Sequence, residues 1–228
     1  MPDNIYISAS LLKDYLDCPR KVHYRLNFPE LTIQTPEMVV GNIVHTTLEK
    51  FWDGRVVAVE YVKAQSMLNH LTLMHTDKAL LCVSNFFDFF QGLVTAEDKI
   101  EYRFKIPFGD AFLVGKIDRV GAFGYVMDWK TSSNHTSNVN RDPQFILYQY
   151  VYEQIFEKAP SSVMRANLID GSIDTYSRDK IMEYSIINSV IPSAIESIRK
   201  GTLSPTGLFV GKCARCPAKI ACWKDLGY

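Results

Sequence analysis

The stretch YVMDWKTS, residues 125 to 132, places an acid and a lysine two apart, Asp128 and Lys130, at the end of an apolar run. Residues two apart on a strand share a face, so these two charges and Val126 point the same way. The preceding apolar segment carries Gly115-Lys116-Ile117-Asp118, and Gly121 and Gly124 between the two segments suit a tight turn. A hairpin through that turn sets Asp118 beside Asp128. Two carboxylates held together repel, so the pair keeps a proton or needs a cation. A hard divalent ion suits oxygen ligands, and Mg2+ keeps positions open for water and a phosphate oxygen. Lys130 would then position or deprotonate an attacking water, or offset charge on a phosphate. The blander reading is a buried salt bridge, and a lone Asp-x-Lys does not separate the two.

A second constellation is made of sulfur. Cys213, Cys216 and Cys222 lie in CARCPAKIAC, and Cys18 stands near the other end of the chain. The sequence opens without a basic segment followed by an apolar one, and no apolar run approaches the ~20 residues of a membrane span. The expectation is a cytoplasmic protein without a membrane partner. In a reducing compartment a cysteine cluster indicates metal before disulfides. Four thiolates serve zinc or an iron–sulfur cluster, and their spacing leaves both open. Cys82, in ALLCVSNFF, reads as a plain buried thiol.

The elements that must position these groups are legible in outline. Ser10 is placed to cap a short helix carrying Leu11, Leu12, Tyr15 and Leu16, which stops near Cys18-Pro19. Thr35-Pro36 opens a second helix, proline suiting the first helical position. Residues 59–93 read as one or two further helices. The period then changes: in KIEYRFKIPF, Ile100, Tyr102, Phe104 and Ile106 alternate with Glu101, Arg103 and Lys105, a strand with one wet face. FLVGKIDRV and GYVMDWKT are two more strands, DPQFILYQYVYEQIF a helix, SVMRANLID a strand parallel to its predecessors, and 179–200 a last helix. The fold class is α/β: a mixed sheet flanked by helices, as one domain over 1–228. Within it, 8–95 is a helical N-terminal part, 96–200 a core, and 201–228 a tail rich in Gly, Pro and Cys that needs another source of order.

Bulk charge excludes little. The 228 residues carry 25 Lys/Arg and 25 Asp/Glu, and 47% are hydrophobic, enough for a sizeable core. The charge is uneven: Arg199 to Lys224 holds six Lys/Arg and no acid. Such a run is ordinarily a solvated face. No GxxxxGK[ST] occurs, so the chain has no ATP-driven motor of that kind.

Four motifs in order, Gly41-x3-His45, Gly115-x2-Asp118, Asp128-x-Lys130 and Gln144-x3-Tyr148, resemble the RecB-like branch of the PD-(D/E)XK nuclease superfamily. The resemblance runs from about residue 8 to 223, and it implies the roles that follow. His45, Asp118, Asp128 and the backbone carbonyl of Trp129 would be ligands of Mg2+ or Mn2+, and Lys130 the catalytic lysine. Trp129 departs from a tyrosine common in relatives, which leaves a carbonyl role intact. Gln144 and Tyr148, one helical turn apart, would brace the site and touch DNA. Glu101 sits near an acid that many relatives carry; His23, His70, His75 and His135 match nothing.

Ser10-x4-Tyr15-x2-Cys18-Pro19 with Cys213-x2-Cys216-x5-Cys222 resembles the split [4Fe–4S] clasp of the same branch, found in AddB-type recombination nucleases and the CRISPR-associated adaptation nuclease. The clasp would gather Lys13, Arg20, Lys21, Lys212, Arg215, Lys219 and Lys224 into a positive surface; Arg20, Lys21, Lys212 and Arg215 are the expected backbone contacts to DNA. The resemblance thus implies a metal-dependent DNase, an exonuclease on single strands or duplex ends, with an integrase or helicase subunit as partner. A DNA-binding or assembly module with an idle metal site is the alternative.

Overall fold

The structure, a computed structural model, describes residues 4–31, 34–132, 139–207 and 211–227. His135 lies outside them, as does the side chain of Arg215. The described chain forms two compact units. One takes in residues 1–33, 104–115 and 178–228; the other takes in 34–103 and 116–177.

In the first unit, strand β1 (Ile5–Ile7) runs parallel to the start of β3 (Ala111–Val120), Ile5 facing Ala111 and Ile7 facing Leu113. Helix α1 (Ala9–Asp17) follows, then α2 (Pro19–Asn27), which starts on the proline of Cys18-Pro19. The cap of α1 is Ser8, whose hydroxyl accepts from the Leu11 N–H at 3.2 Å, not the expected Ser10; Ser10 instead accepts from Arg25. Strand β1 has no clear signal in the sequence, since three residues are too few for a period to show; α2 has one in Pro19, which suits a first helical position as well as it marks the stop of α1. The tail contributes α9 (Lys219–Asp225). Gly115 has a packing reason, since a Cβ there would fall 2.5 Å from the Phe104 ring.

The second unit holds the motifs. Thr35 caps α3 (Pro36–Phe51), which packs with α4 (Arg55–Leu68) and α5 (Leu73–Asn85). A single π turn, Phe86–Phe90, continues α5. Strand β2 (Lys99–Phe108) begins in this unit. The end of β3 pairs antiparallel with β4 (Tyr125–Lys130), Arg119 facing Met127 and Val120 facing Val126. Continuing that register sets Asp118 opposite Asp128. Gly124 takes φ +85° in the connecting turn, where a Cβ would be strained. Helix α6 (Pro143–Phe156), capped by Asp142, leads to β5 (Ser162–Asn167), parallel to β4, and β6 (Ser172–Thr175) returns antiparallel. This is the expected mixed sheet flanked by helices.

Two elements differ from expectation. SVMRANLID is strand only to Asn167, because the chain turns back at Gly171 (φ +74°) into β6. The segment 179–200 is two helices, α7 (Lys180–Ser185) and α8 (Ile191–Lys200), joined by a π turn at Ile186–Val190 ahead of Pro192. Proline removes a helical hydrogen bond, and the wider turn absorbs the loss.

Candidate active site

Alternation along β4 divides its side chains. Met127 and Trp129 join the apolar cluster of α3, α4 and α5, where the Trp129 ring meets Phe86 and Phe90 edge-on at 5.4 and 5.8 Å. Asp128 and Lys130 therefore face the other way. There α6 supplies the polar partners. Gln144 Nε2 donates to Asp128 Oδ1 at 2.7 Å and to the Tyr148 hydroxyl at 2.9 Å. Lys130 Nζ donates to Gln144 Oε1 at 3.0 Å and pairs with Asp128 Oδ2 at 2.6 Å. The Tyr148 hydroxyl donates to the Lys116 carbonyl at 2.8 Å. Gln144 and Tyr148 thus brace Asp128 and Lys130.

Asp118 has different company. Its Oδ2 accepts the Trp129 N–H at 2.8 Å, and its Oδ1 lies 3.2 Å from His45 Nδ1, brought in by α3. His45, Glu101 and Asp118 form a group fit to hold a metal ion, with ligand atoms all within 4.8 Å of one another. Among the described residues no other such group of three occurs, and Asp128 is not a member of it. Glu101 enters because its backbone is left-handed, φ +51°. That breaks the strand's alternation, which is why pattern reading left Glu101 on a wet face.

The electrostatics follow from crowding. Burial and the neighbouring Asp118 raise the Asp128 carboxyl above the usual range, against the pull of Lys130. Burial also pushes Asp118 up, but His45, the Trp129 N–H and Lys130 outweigh it and hold it below that range. Two acids sharing one site are driven apart in this way. Burial disfavours the His45 cation, yet Asp118 and then Asp128 raise its pKa; Lys130 is raised too, Asp128 outweighing burial. His45 with Asp118, and Lys130 with Asp128, make two internal ion pairs at the site.

A network that the sequence did not signal pins the turn next to this site. Asp98 accepts from Arg119 Nε at 2.9 Å, the Ala122 N–H at 3.0 Å and the Thr95 N–H at 3.1 Å, and also from the Tyr125 hydroxyl. Burial would raise its pKa, but these donors hold it at about 2. The Arg119 guanidinium lies 4.9 Å from the Trp52 ring centre.

The four cysteines meet in the first unit. Cys18, Cys213, Cys216 and Cys222 line one cavity of about 210 Å³. The Thr206 N–H donates to Cys18 Sγ at 3.3 Å. Burial raises the Cys18 thiol, but this and neighbouring backbone N–H groups bring it below its usual value. A Cβ on Gly207 would lie 3.2 to 3.4 Å from Cys18 and Cys213, crowding that wall. Ion pairs flank the cavity: Lys212 with Asp17 at 3.0 Å, Arg20 with Asp225 at 3.1 Å and Lys21 with Asp14 at 2.6 Å. Tyr24 also donates to Asp225. Three of the four basic residues expected on DNA are therefore engaged with acids. Cys82 is fully buried in α5, and burial pushes its thiol up to about 12.

A sequence model of the PD-(D/E)XK nuclease superfamily matches residues 6–223. The chain belongs to that superfamily. A solved structure agrees on fold. That structure, described as "Putative exonuclease" from Eubacterium rectale, aligns over 88% of this chain and 83% of its own, with 13% identity and a TM-score of 0.62. Another, SSO0001, aligns over 96% of this chain and 87% of its own, with 14% identity and a TM-score of 0.47. No curated protein matches the sequence. No described helix of this PD-(D/E)XK chain is long and apolar enough to cross a membrane.

Proposed function

We propose that this chain is a metal-dependent DNA nuclease of the RecB-like branch, cutting single strands or duplex ends as an exonuclease. The observation that carries the reading is the meeting of His45, Glu101 and Asp118 next to the braced Asp128–Lys130 pair, in a chain of this superfamily. His45, Glu101 and Asp118 would hold a Mg2+ or Mn2+, and the family pattern adds Asp128 and the Trp129 carbonyl. Such an ion, when bound, polarises a scissile phosphate and supplies a nucleophilic water at neutral pH. Lys130, fixed by Gln144, offsets charge that develops on the phosphate. Gln144 keeps Asp128 aimed, and Tyr148 keeps Gln144 from turning away.

The cysteine cavity fits a [4Fe–4S] cluster. Four thiols line one space, with an N–H aimed at Cys18. Four thiolates serve zinc equally well, and the resemblance to the split clasp of this branch favours the cluster. The clasp would order a tail that has little core of its own. This reading places the chain in CRISPR adaptation or DNA recombination, working in the cytoplasm beside an integrase or helicase subunit.

Labelled single-stranded DNA incubated with Mn2+ tests the reading. Wild type should shorten it and Asp118→Asn should not. Equal inactivity of both proteins would leave a DNA-binding or assembly module. Protein purified without oxygen should be brown, absorbing broadly near ~400 nm; a colourless protein with stoichiometric zinc would refute the cluster.

A further inference from the structure

We infer that Lys116 is a resident counter-ion of the metal site, one that occupies Glu101 until a divalent cation displaces it. This rests on the metal-site reading above and goes beyond it. Glu101 is held in a left-handed conformation near the start of β2, at a cost of roughly 1 kcal/mol for a residue with a Cβ. That conformation turns its carboxylate toward His45 and Asp118. The side chain is only 9% exposed, and Lys116 Nζ makes an ion pair with its Oε2. A buried carboxylate needs such a partner when no cation is bound.

The two lysines of the site are tethered differently. Lys130 is held by Asp128 and by Gln144, and its side chain is 29% exposed. Lys116 is 39% exposed, and among the described residues Glu101 is its one ion-pair partner. Its backbone is fixed, since its carbonyl accepts from Tyr148, but its four-carbon stem is free to swing toward water. A divalent ion among His45, Glu101 and Asp118 would sit next to the Lys116 ammonium, and like charges at that range oppose each other strongly. Entry of the ion and departure of the ammonium are then one exchange. Lys116 is a positioning residue: it keeps Glu101 aimed and neutralised while the site lacks a metal, and it weakens metal binding by the energy of the pair it gives up.

Mn2+ titration of the full chain without DNA, followed by the resonance of the free ion, decides this. Lys116→Met should bind Mn2+ at least about fivefold more tightly than wild type. Lys116→Arg should stay within about twofold of wild type, because the charge remains. Asp118→Asn should bind weakly. A merely structural defect at Lys116 would loosen binding, so tightening is diagnostic; Lys116→Gln gives the same comparison should the methionine variant aggregate. Equal or weaker affinity in Lys116→Met and Lys116→Gln, with Asp118→Asn still impaired, overturns this inference and leaves the metal site standing. Absence of Mn2+ binding that depends on Asp118 overturns both.

Discussion

Lys130 and Asp128, two apart in the sequence, form one pair in the structure, 2.6 Å apart and bridged by Gln144. Replacing Gln144 by Ala removes both bridges while leaving the charges. Cleavage should fall by about 10- to 100-fold through kcat with KM little changed, as for a lost positioning contact. Single-turnover kinetics would show it. His45 carries a pH signature. Its pKa is raised in the metal-free fold, so its stabilising contribution is complete below the unfolded value of ~6.5 and is lost as pH climbs through the raised folded value. Melting curves of metal-free wild type and His45→Gln should therefore converge toward high pH. A metal needs the neutral imidazole, so Mn2+ affinity should rise from about pH 6 to pH 8.

The hairpin of β3 and β4 is the element that sets two acids side by side, and the Asp98 network fixes its turn. A carboxyl held at about 2 contributes stability above its unfolded pKa of ~3.9 and loses it as pH falls toward 2. Asp98 is fully buried with Arg119, at 0% and 1% side-chain exposure. Asp98→Asn should cost about 2–3 kcal/mol at neutral pH, by leaving Arg119 an unmatched buried charge, and the deficit should shrink in acid. Denaturant midpoints at neutral pH and near pH 3 test both. The hairpin was readable because alternating apolar residues and two glycines are local signals. The Asp98 clamp was not, since Asp98 and Arg119 are 21 residues apart and each alone looks like an ordinary surface charge.

At the scale of the molecule, net charge of zero makes a general nucleic-acid coat a poor description, and the basic residues beside the cysteines have local work. Lys21 and Lys212 each bind an acid on α1, and Arg20 binds Asp225 on α9. The Lys212 and Arg20 pairs join the first helices to the tail beside the four thiols, and the Lys21 pair joins α2 to α1. With the proposed cluster in place, Asp225→Asn should quicken its loss in air or chelator, while Lys212→Ala should change DNA affinity by less than about threefold. A larger loss of DNA binding in Lys212→Ala would return that residue to the nucleic-acid surface.

The sequence by itself determined the superfamily, the α/β class and the order of the motifs, and it named candidates for the site, because each rests on residue type and on spacing along the chain. Tertiary structure decided the rest. It brought Glu101 into the metal group through one left-handed residue that no period reveals. It paired Lys116 with Glu101, and it set Arg20, Lys21 and Lys212 against acids near the thiols. Those outcomes depend on which charges meet after distant segments pack, and burial makes each buried charge take whichever partner is nearest.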